Sequence, residues 1–417
     1  MKRFDSIDVM RALAIMMMLP CHFILFWSPY RAPYEWVYTF FNDFLGGIGG
    51  PFFLFLVGTS YAVAELQGRI DSGVQIARKA CAIFLIGVFL ELSIEGQVFS
   101  WDALTLISFS IVLLHVLRKL PNSTLSITVA MIFLVSPMLR GFFGYLGAWS
   151  PEILPSDFAQ YSPSLFLDPL AEYTRGADSD LFLVLQGFFV NGYFPVFPWV
   201  AFPLSGLVAG RVLYREKNEK LYHLPSIILG TLLTLVGFSV AAYAHYFVGG
   251  VGNFESGFLT TLSFFPLSPS WMLAEIGICL LSLNALRYLL DGESRPQLNL
   301  SFYQFLSKYS LTVYCLHYLI AYWPVRIAGF LSNHRTDYMG NLMEAPTAVF
   351  VAGLTMIGFY FLFMAWEKFN GKYSLGWMIK ELSRHSSPPE GTVSSRPGPS
   401  ITLAPPPSTT KNSIFYP

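Results

Sequence analysis

Runs of about 20 mostly apolar residues, the length an α-helix needs to cross the hydrocarbon of a bilayer, recur ten times along this chain. They lie near 9–28, 45–64, 80–97, 102–118, 123–143, 193–213, 224–247, 270–290, 307–330 and 346–366. Hydrophobic residues make up 54% of the chain and charged residues 12%, about half the charged share usual in soluble domains, and mean hydropathy is +0.51. A water-soluble fold could not hide this much apolar surface. The pattern predicts an all-α, polytopic membrane bundle of about ten transmembrane helices. The 26 basic and 26 acidic residues cancel, so the basic excess of a nucleic-acid binder is missing. Cys21, Cys81, Cys279 and Cys315 all fall inside apolar runs. None has metal-ligand spacing or the loop position of a disulfide framework.

Orientation follows from the basic residues, which collect in cytoplasmic loops. With the N-terminus inside, 21 of the 26 lysines and arginines fall on the inner side; only Arg31, Arg140, Arg175, Arg326 and Arg335 fall outside. Both termini are therefore expected in the cytoplasm. Lys2 and Arg3 precede the first span and no small-residue cleavage site follows it, so it reads as a retained helix and not a signal peptide. The stretch 144–192 is then the longest external loop, bearing Glu152, Asp157, Asp168, Glu172, Asp178 and Asp180 against Arg175. It runs into LFLVLQGFFVNGYFPVFPWVAFPLSGLVAGR, where Gly192, Pro195, Pro198 and Pro203 interrupt the helix. The parity of the spans lets this segment cross once, which predicts a short re-entrant or interfacial helix near 181–190 followed by the sixth span. Broken backbone at that depth is tolerated only where protein or a wet cavity surrounds it. Residues 386–417 are rich in Pro, Ser and Thr and are expected to form a disordered cytoplasmic tail, leaving 1–385 as the membrane domain. With no soluble catalytic domain, any chemistry must belong to the bundle.

Charge is costly in lipid, so an ionisable residue within a span is read first as functional. The candidates are Asp8, Arg11, His22, Glu65, Glu91, Glu95, His115, His245, Glu275 and His317. Glu65, His115 and His245 stand near span ends, where side chains reach the interface. Glu91 and Glu95 are one turn apart, either an acidic wall of an external cleft or solvated residues at a helix end. Glu275 suits a pairing with a neighbouring helix. In the first span, SIDVMRALAIMMMLPCH, Arg11 and His22 are eleven residues apart and share a face, the imidazole about 16 Å beyond the guanidinium. Asp8 can pair with Arg11. A snorkelling arginine and a hydrogen-bonded core histidine would leave the same pattern. In YSLTVYCLHYLIAYW, Ser310, Tyr314 and His317 share a face, and His317 lies about 13 Å beyond Lys308, a depth comparable with that of His22. A base and its partner need such a placement; an aromatic seam with one satisfied histidine is the alternative. No Walker, HExxH, GxSxG or zinc pattern occurs, and GGIGGP at 46–51 reads as close helix packing.

Several segments resemble, in order, the signatures of bacterial relatives of heparan-α-glucosaminide N-acetyltransferase. SIDVMRALAIMMMLPCHF is similar to the opening D-x-x-R-G-x-A-I and its following histidine, and PFFLFLVGTSYAVA to the second signature. YFPVFPWVAFPLSGLVAGR resembles the Pro-Trp motif, FPLSPSWMLAEIG the Pro-Ser stretch, and YSLTVYCLHYL the closing Ser-x-x-x-Tyr-x-x-His helix. The resemblance spans residues 5 to about 365, and its first and last motifs are shared with the wider transmembrane acyltransferase superfamily. It implies an enzyme of the bacterial cytoplasmic membrane that passes an acyl group, acetyl foremost, from cytoplasmic acyl-CoA to an extracytoplasmic sugar or glycan amine or hydroxyl. Acyl-CoA would be a co-substrate and no cofactor would be tightly bound. Membrane lipid would surround the chain, and a homo-oligomer is left open. By carry-over, His22, His317 and Tyr314 would be catalytic, with Arg11 and Asp8 on the CoA side. Tyr193 and Trp199 would offer rings to the sugar. Ala12 replaces the usual Gly after the arginine. No histidine occurs in 23–50, where eukaryotic relatives carry the proposed acetyl-accepting one, so direct transfer is favoured. A proton-coupled transporter or a lipid or glycolipid flippase is the rival reading, since buried titratable groups and a broken helix suit transport as well.

Overall fold

The computed structural model describes residues 3–95, 101–143, 181–215, 223–247, 262, 264, 267–292, 298–333 and 340–383. Among these every regular element is helical. The elements are α1 (Asp5–Trp27), α2 (Glu35–Leu66), α3 (Gly73–Glu95), α4 (Ala103–Leu117), α5 (Asn122–Phe143), α6 (Leu181–Gln186) and α7 (Val196–Leu213). They continue with α8 (Leu224–Phe247), α9 (Pro269–Leu290), α10 (Ser301–Lys308), α11 (Ser310–Asn333), α12 (Ala345–Glu367) and α13 (Leu375–Ser383). Of the expected external loop 144–192, residues 144–180 lie outside the described residues, as does the tail 386–417.

Each of the ten expected spans falls on a helix. Among the described residues eight helices are long and apolar enough to cross a membrane, and the chain is a multi-pass helical membrane protein. Of the other two spans, α4 has 15 residues. The ninth, α11, carries Tyr314, His317, Tyr318, Tyr322 and Arg326, which dilute its apolarity. The boundaries differ from expectation in two places. The second span begins upstream of the glycine run, because a π-helical turn over Thr39–Leu45 continues into Gly46–Leu66 without a break. The span expected at 307–330 is interrupted at Tyr309, whose φ of −101° and ψ of 16° end α10 before α11 starts.

A broken sixth span is also present. α6 passes into a π turn at Gly187–Asn191, the chain becomes extended at Gly192 and Pro195, and helix resumes at Val196. Phe197 keeps non-helical angles inside that restart. The missing N–H groups of Pro195 and Pro198 account for the break.

Burial sorts the helices into an inner and an outer set. Of the apolar window of α7, 72% is buried, against 22% for α8. α8 and α12 turn Leu229, Leu232, Leu235, Phe350, Leu354 and Phe361 outward, the reverse of a soluble helix and the face expected toward lipid. α1 is central, packing on α2, α9, α10, α11 and α12. Helices in lipid gain no hydrophobic drive from one another, so close approach through small residues matters. Gly58 of α2 and Gly206 of α7 supply it: a Cβ on either would collide with a backbone carbonyl of the other helix, Pro203 or Phe55. Thr59 Oγ1 lies 3.2 Å from the Gly206 carbonyl oxygen across the same crossing. The GGIGG run is a packing surface too, with Gly47 against the Trp271 ring and Gly49 against the Ala14 carbonyl.

Candidate functional site

Two polar clusters lie along α1, separated by about three helical turns. The first is built on Arg11. Its two terminal nitrogens donate to Ser307 Oγ at 2.9 Å and Ser60 Oγ at 2.6 Å. Asp8 Oδ1 stands 3.9 Å from the guanidinium and accepts from Ser307 Oγ at 2.5 Å, while Arg3 pairs with the other carboxylate oxygen. The cluster ties α1 to α2 through Ser60 and to α10 through Ser307. The expected Asp8–Arg11 pair is thus present but indirect, Ser307 bridging it. Ala12, next to Arg11, is fully buried in an apolar cluster with Leu306, Tyr309, Val313 and Phe363, so the space a glycine would leave is filled.

The second cluster brings His22 and His317 together, their ring centroids 5.0 Å apart and edge to face. His22 Nδ1 lies 3.0 Å from the Met18 carbonyl oxygen and Nε2 lies 2.9 Å from Tyr318 Oη. A carbonyl only accepts, so Nδ1 carries the hydrogen and Nε2 the lone pair of the neutral ring. His317 repeats the arrangement: Nδ1 is 3.0 Å from the Val313 carbonyl oxygen. Its Nε2 is buried and has no hydrogen-bond partner among the described residues. In both helices the i−4 carbonyl sets the tautomer, the same local bond that serine and threonine make in helices. Both rings therefore present Nε2 as a base.

Tyr314 packs against His317 with centroids 5.6 Å apart, but its hydroxyl donates to Asp102 Oδ2 at 2.7 Å and not to a histidine. Asp102 is fixed in turn, its backbone N–H donating to Glu91 Oε1 at 2.8 Å. Tyr314 is thus anchored to the start of α4, and the group that reaches His22 is Tyr318. Tyr318 follows Tyr314 by four residues on the same helical stripe, a signal available in the sequence. Asp102, Ser60 and Ser307 gave none, since a small polar residue at a span boundary is commonplace.

The remaining candidates separate. Trp199 has 0% of its surface exposed and is enclosed by Phe194 and Phe264 at 4.6 and 5.0 Å. No ring face is open to a sugar, which corrects the expectation for this residue. Tyr193 is half-buried in the extended stretch before α7. Glu65 forms a two-pronged pair with Arg211, at 2.7 and 3.0 Å, and Arg211 also donates to the Leu120 carbonyl; this is a clamp between helix ends. Tyr61 Oη and His115 Nδ1 are 3.1 Å apart. Glu91 is buried and bonded to Asp102, so it is no part of an open acidic wall, and the side chains of Glu95 and His245 lie outside the described residues. Glu275 has 0% exposure and neither carboxyl oxygen has a partner among the described residues, against the expected helix-to-helix pairing. Among the described residues no group of His, Cys, Asp and Glu is placed to hold a metal ion.

The family model described as heparan-alpha-glucosaminide N-acetyltransferase, catalytic, matches residues 3–248, more than half of the chain. The matched stretch includes Asp8, Arg11 and His22 and the first three motifs, and it ends before α9 and α11. No curated protein matches the chain.

Proposed function

The chain belongs to the heparan-alpha-glucosaminide N-acetyltransferase catalytic family, and from that membership we propose that it carries an acetyl group from cytoplasmic acetyl-CoA to a sugar amine or hydroxyl on the far side of the membrane. The observation that carries this reading is the pairing of His22 with His317 about three turns from the Arg11 cluster on the same helix. A fixed cation at one level and two basic nitrogens at another are what a donor entering from one side and an acceptor from the other require.

In this reading Arg11 receives a CoA phosphate. Guanidinium suits phosphate geometry, and Ser60 and Ser307 hold it extended, with Asp8 behind. His22 Nε2 receives the acceptor's proton as the amine or hydroxyl attacks the thioester carbonyl. The C–S bond then breaks, the acetyl group stays on the acceptor, and the proton passes on to the CoA thiolate. Positioned base catalysis contributes typically 10²–10⁴-fold. His317 backs His22, and Tyr193 lies where the broken segment would meet the sugar. The distribution of basic residues favours both termini in the cytoplasm, and the resemblance to bacterial relatives favours a bacterial cytoplasmic membrane.

The test uses purified protein in detergent with acetyl-CoA and two probe acceptors, D-glucosamine for an amine and methyl glucoside for a hydroxyl. Acceptor-dependent release of CoA thiol is expected. Arg11→Lys keeps the charge but loses the planar fork, so KM for acetyl-CoA should rise roughly tenfold. Failure of the wild-type protein to release CoA with either probe, together with proton-driven uptake of solute in liposomes, would replace this reading with a transporter.

A further inference from the structure

His22 is a base whose lone pair is already covered. Nδ1 is committed to the Met18 carbonyl, and the one remaining nitrogen, Nε2, faces Tyr318 Oη at 2.9 Å. A substrate proton must therefore displace the phenol or pass through it. Displacement is opposed by packing. The Tyr318 ring lies against His22 at 4.5 Å, His317 at 4.8 Å, Tyr314 at 5.9 Å and Phe26 at 6.1 Å, and swinging it away would give up all four contacts. Exposure sets the order of approach. His22 and Tyr318 are half-buried, whereas His317 behind them is fully buried and the Tyr314 hydroxyl is engaged by Asp102. An incoming acceptor thus reaches the His22–Tyr318 pair before His317, and in that pair the Tyr318 hydroxyl already covers the lone pair of His22 Nε2.

We infer that Tyr318 is a catalytic residue that relays the acceptor's proton to His22. This rests on the acyl-transfer reading above and adds a hydroxyl between base and substrate. A phenol can accept from one neighbour while donating to another. Tyr318 Oη accepts a hydrogen bond from the acceptor N–H or O–H and donates its own hydrogen to His22 Nε2. As the acceptor attacks the thioester carbonyl carbon, its proton moves to Tyr318 Oη and the phenolic proton moves to Nε2. The C–S bond breaks with its electron pair on sulfur. His22, left as imidazolium, then returns a proton through Tyr318 to the thiolate, so both residues end as they began. The His317 ring lies 5.0 Å, centroid to centroid, from the ring on which that cation forms.

Single-turnover acetyl transfer to D-glucosamine or methyl glucoside, whichever the wild-type protein acetylates, tests the relay in mixtures of H₂O and D₂O. Two protons moving together give a bowed dependence of rate on deuterium fraction; one proton gives a straight line. The wild-type protein is expected to give the bowed curve. Tyr318→Phe keeps the ring and its packing and should lower the transfer rate on the order of 10²-fold, with acetyl-CoA binding unchanged and the dependence now straight. In a His22→Gln background the same substitution should cost nothing more. A straight line for the wild-type protein, which needs no variant and so cannot be masked by misfolding, overturns the relay, as does a Tyr318→Phe rate within twofold of wild type. If the wild-type protein acetylates neither acceptor, the acyl-transfer reading falls and takes the relay with it; an active wild-type protein with an indifferent Tyr318→Phe variant rejects the relay alone.

Discussion

Taking an imidazole out of water obliges each ring nitrogen to find a partner or go without, and an unmet buried acceptor costs about 1–3 kcal/mol. Among the described residues His22 finds two partners and His317 only one, so the two rings should answer differently to substitution. His22→Ala should lower acetyl transfer on the order of 10²–10⁴-fold while insertion and acetyl-CoA binding hold, and His22→Gln should be nearly as inactive because an amide is no base. His115→Ala is the control: that ring bonds Tyr61 away from both clusters, and its loss should spare activity. His317→Leu removes the orphaned Nε2, so it should leave the melting temperature unchanged or raise it while turnover falls. A lowered melting temperature would mean that Nε2 has a partner in the folded protein. His22 and Arg11 were legible in the sequence because eleven residues on a 3.6-residue period bring two polar groups onto one apolar face. Tyr318 shares the stripe of Tyr314 in the sequence, but which of the two reaches a histidine on another helix depends on a crossing that no single helix encodes, and Asp102 carries no signal at all.

Between helices the decisive contact is the one between α2 and α7, where Gly58 and Gly206 leave no room for a Cβ against the opposite backbone. Backbone cannot yield as the end of a side chain can, so Gly58→Ala or Gly206→Ala should destabilise by about 1–3 kcal/mol or more. Gly358→Ala in α12, where a Cβ meets nothing within 4 Å, should be neutral, and thermal melts in one detergent compare the three. At the end of the same helix pair, Arg211→Ala strands Glu65, an effect worth about 3 kcal/mol for a largely buried ion pair; removing Glu65 as well should restore part of the loss. Helix existence was legible throughout, since apolar runs of membrane-spanning length admit little else. Boundaries were less so. The glycines at 46–50 predict a helix start on propensity, yet packing against Trp271 and α1 keeps them helical and the helix begins at Glu35. Trp199 stands in a motif that looks ligand-facing, but the break before α7 turns its ring into the core among Phe194, Phe202 and Phe264.

At the scale of the molecule, a donor on one side and an acceptor on the other need the Arg11 cluster to open inward and the His22 level to lie toward the outer face. Both follow if α1 enters from the cytoplasm, the orientation that the basic residues favour: Arg69 stands in the link from α2 to α3 and Arg78 and Lys79 in the first turns of α3, while the link from α1 to α2 holds Arg31 alone. Glu35 and Ser72 are exposed at these two links and make a matched pair of reporters. Single cysteines placed there, in a background with the exposed Cys81 replaced by serine, should respond oppositely to a membrane-impermeant thiol reagent. In intact cells Glu35→Cys should label and Ser72→Cys should not, and permeabilisation should make Ser72→Cys reactive. The reverse pattern would place Arg11 at the outer surface, where cytoplasmic CoA cannot reach it, and a two-sided transfer along α1 would then be untenable.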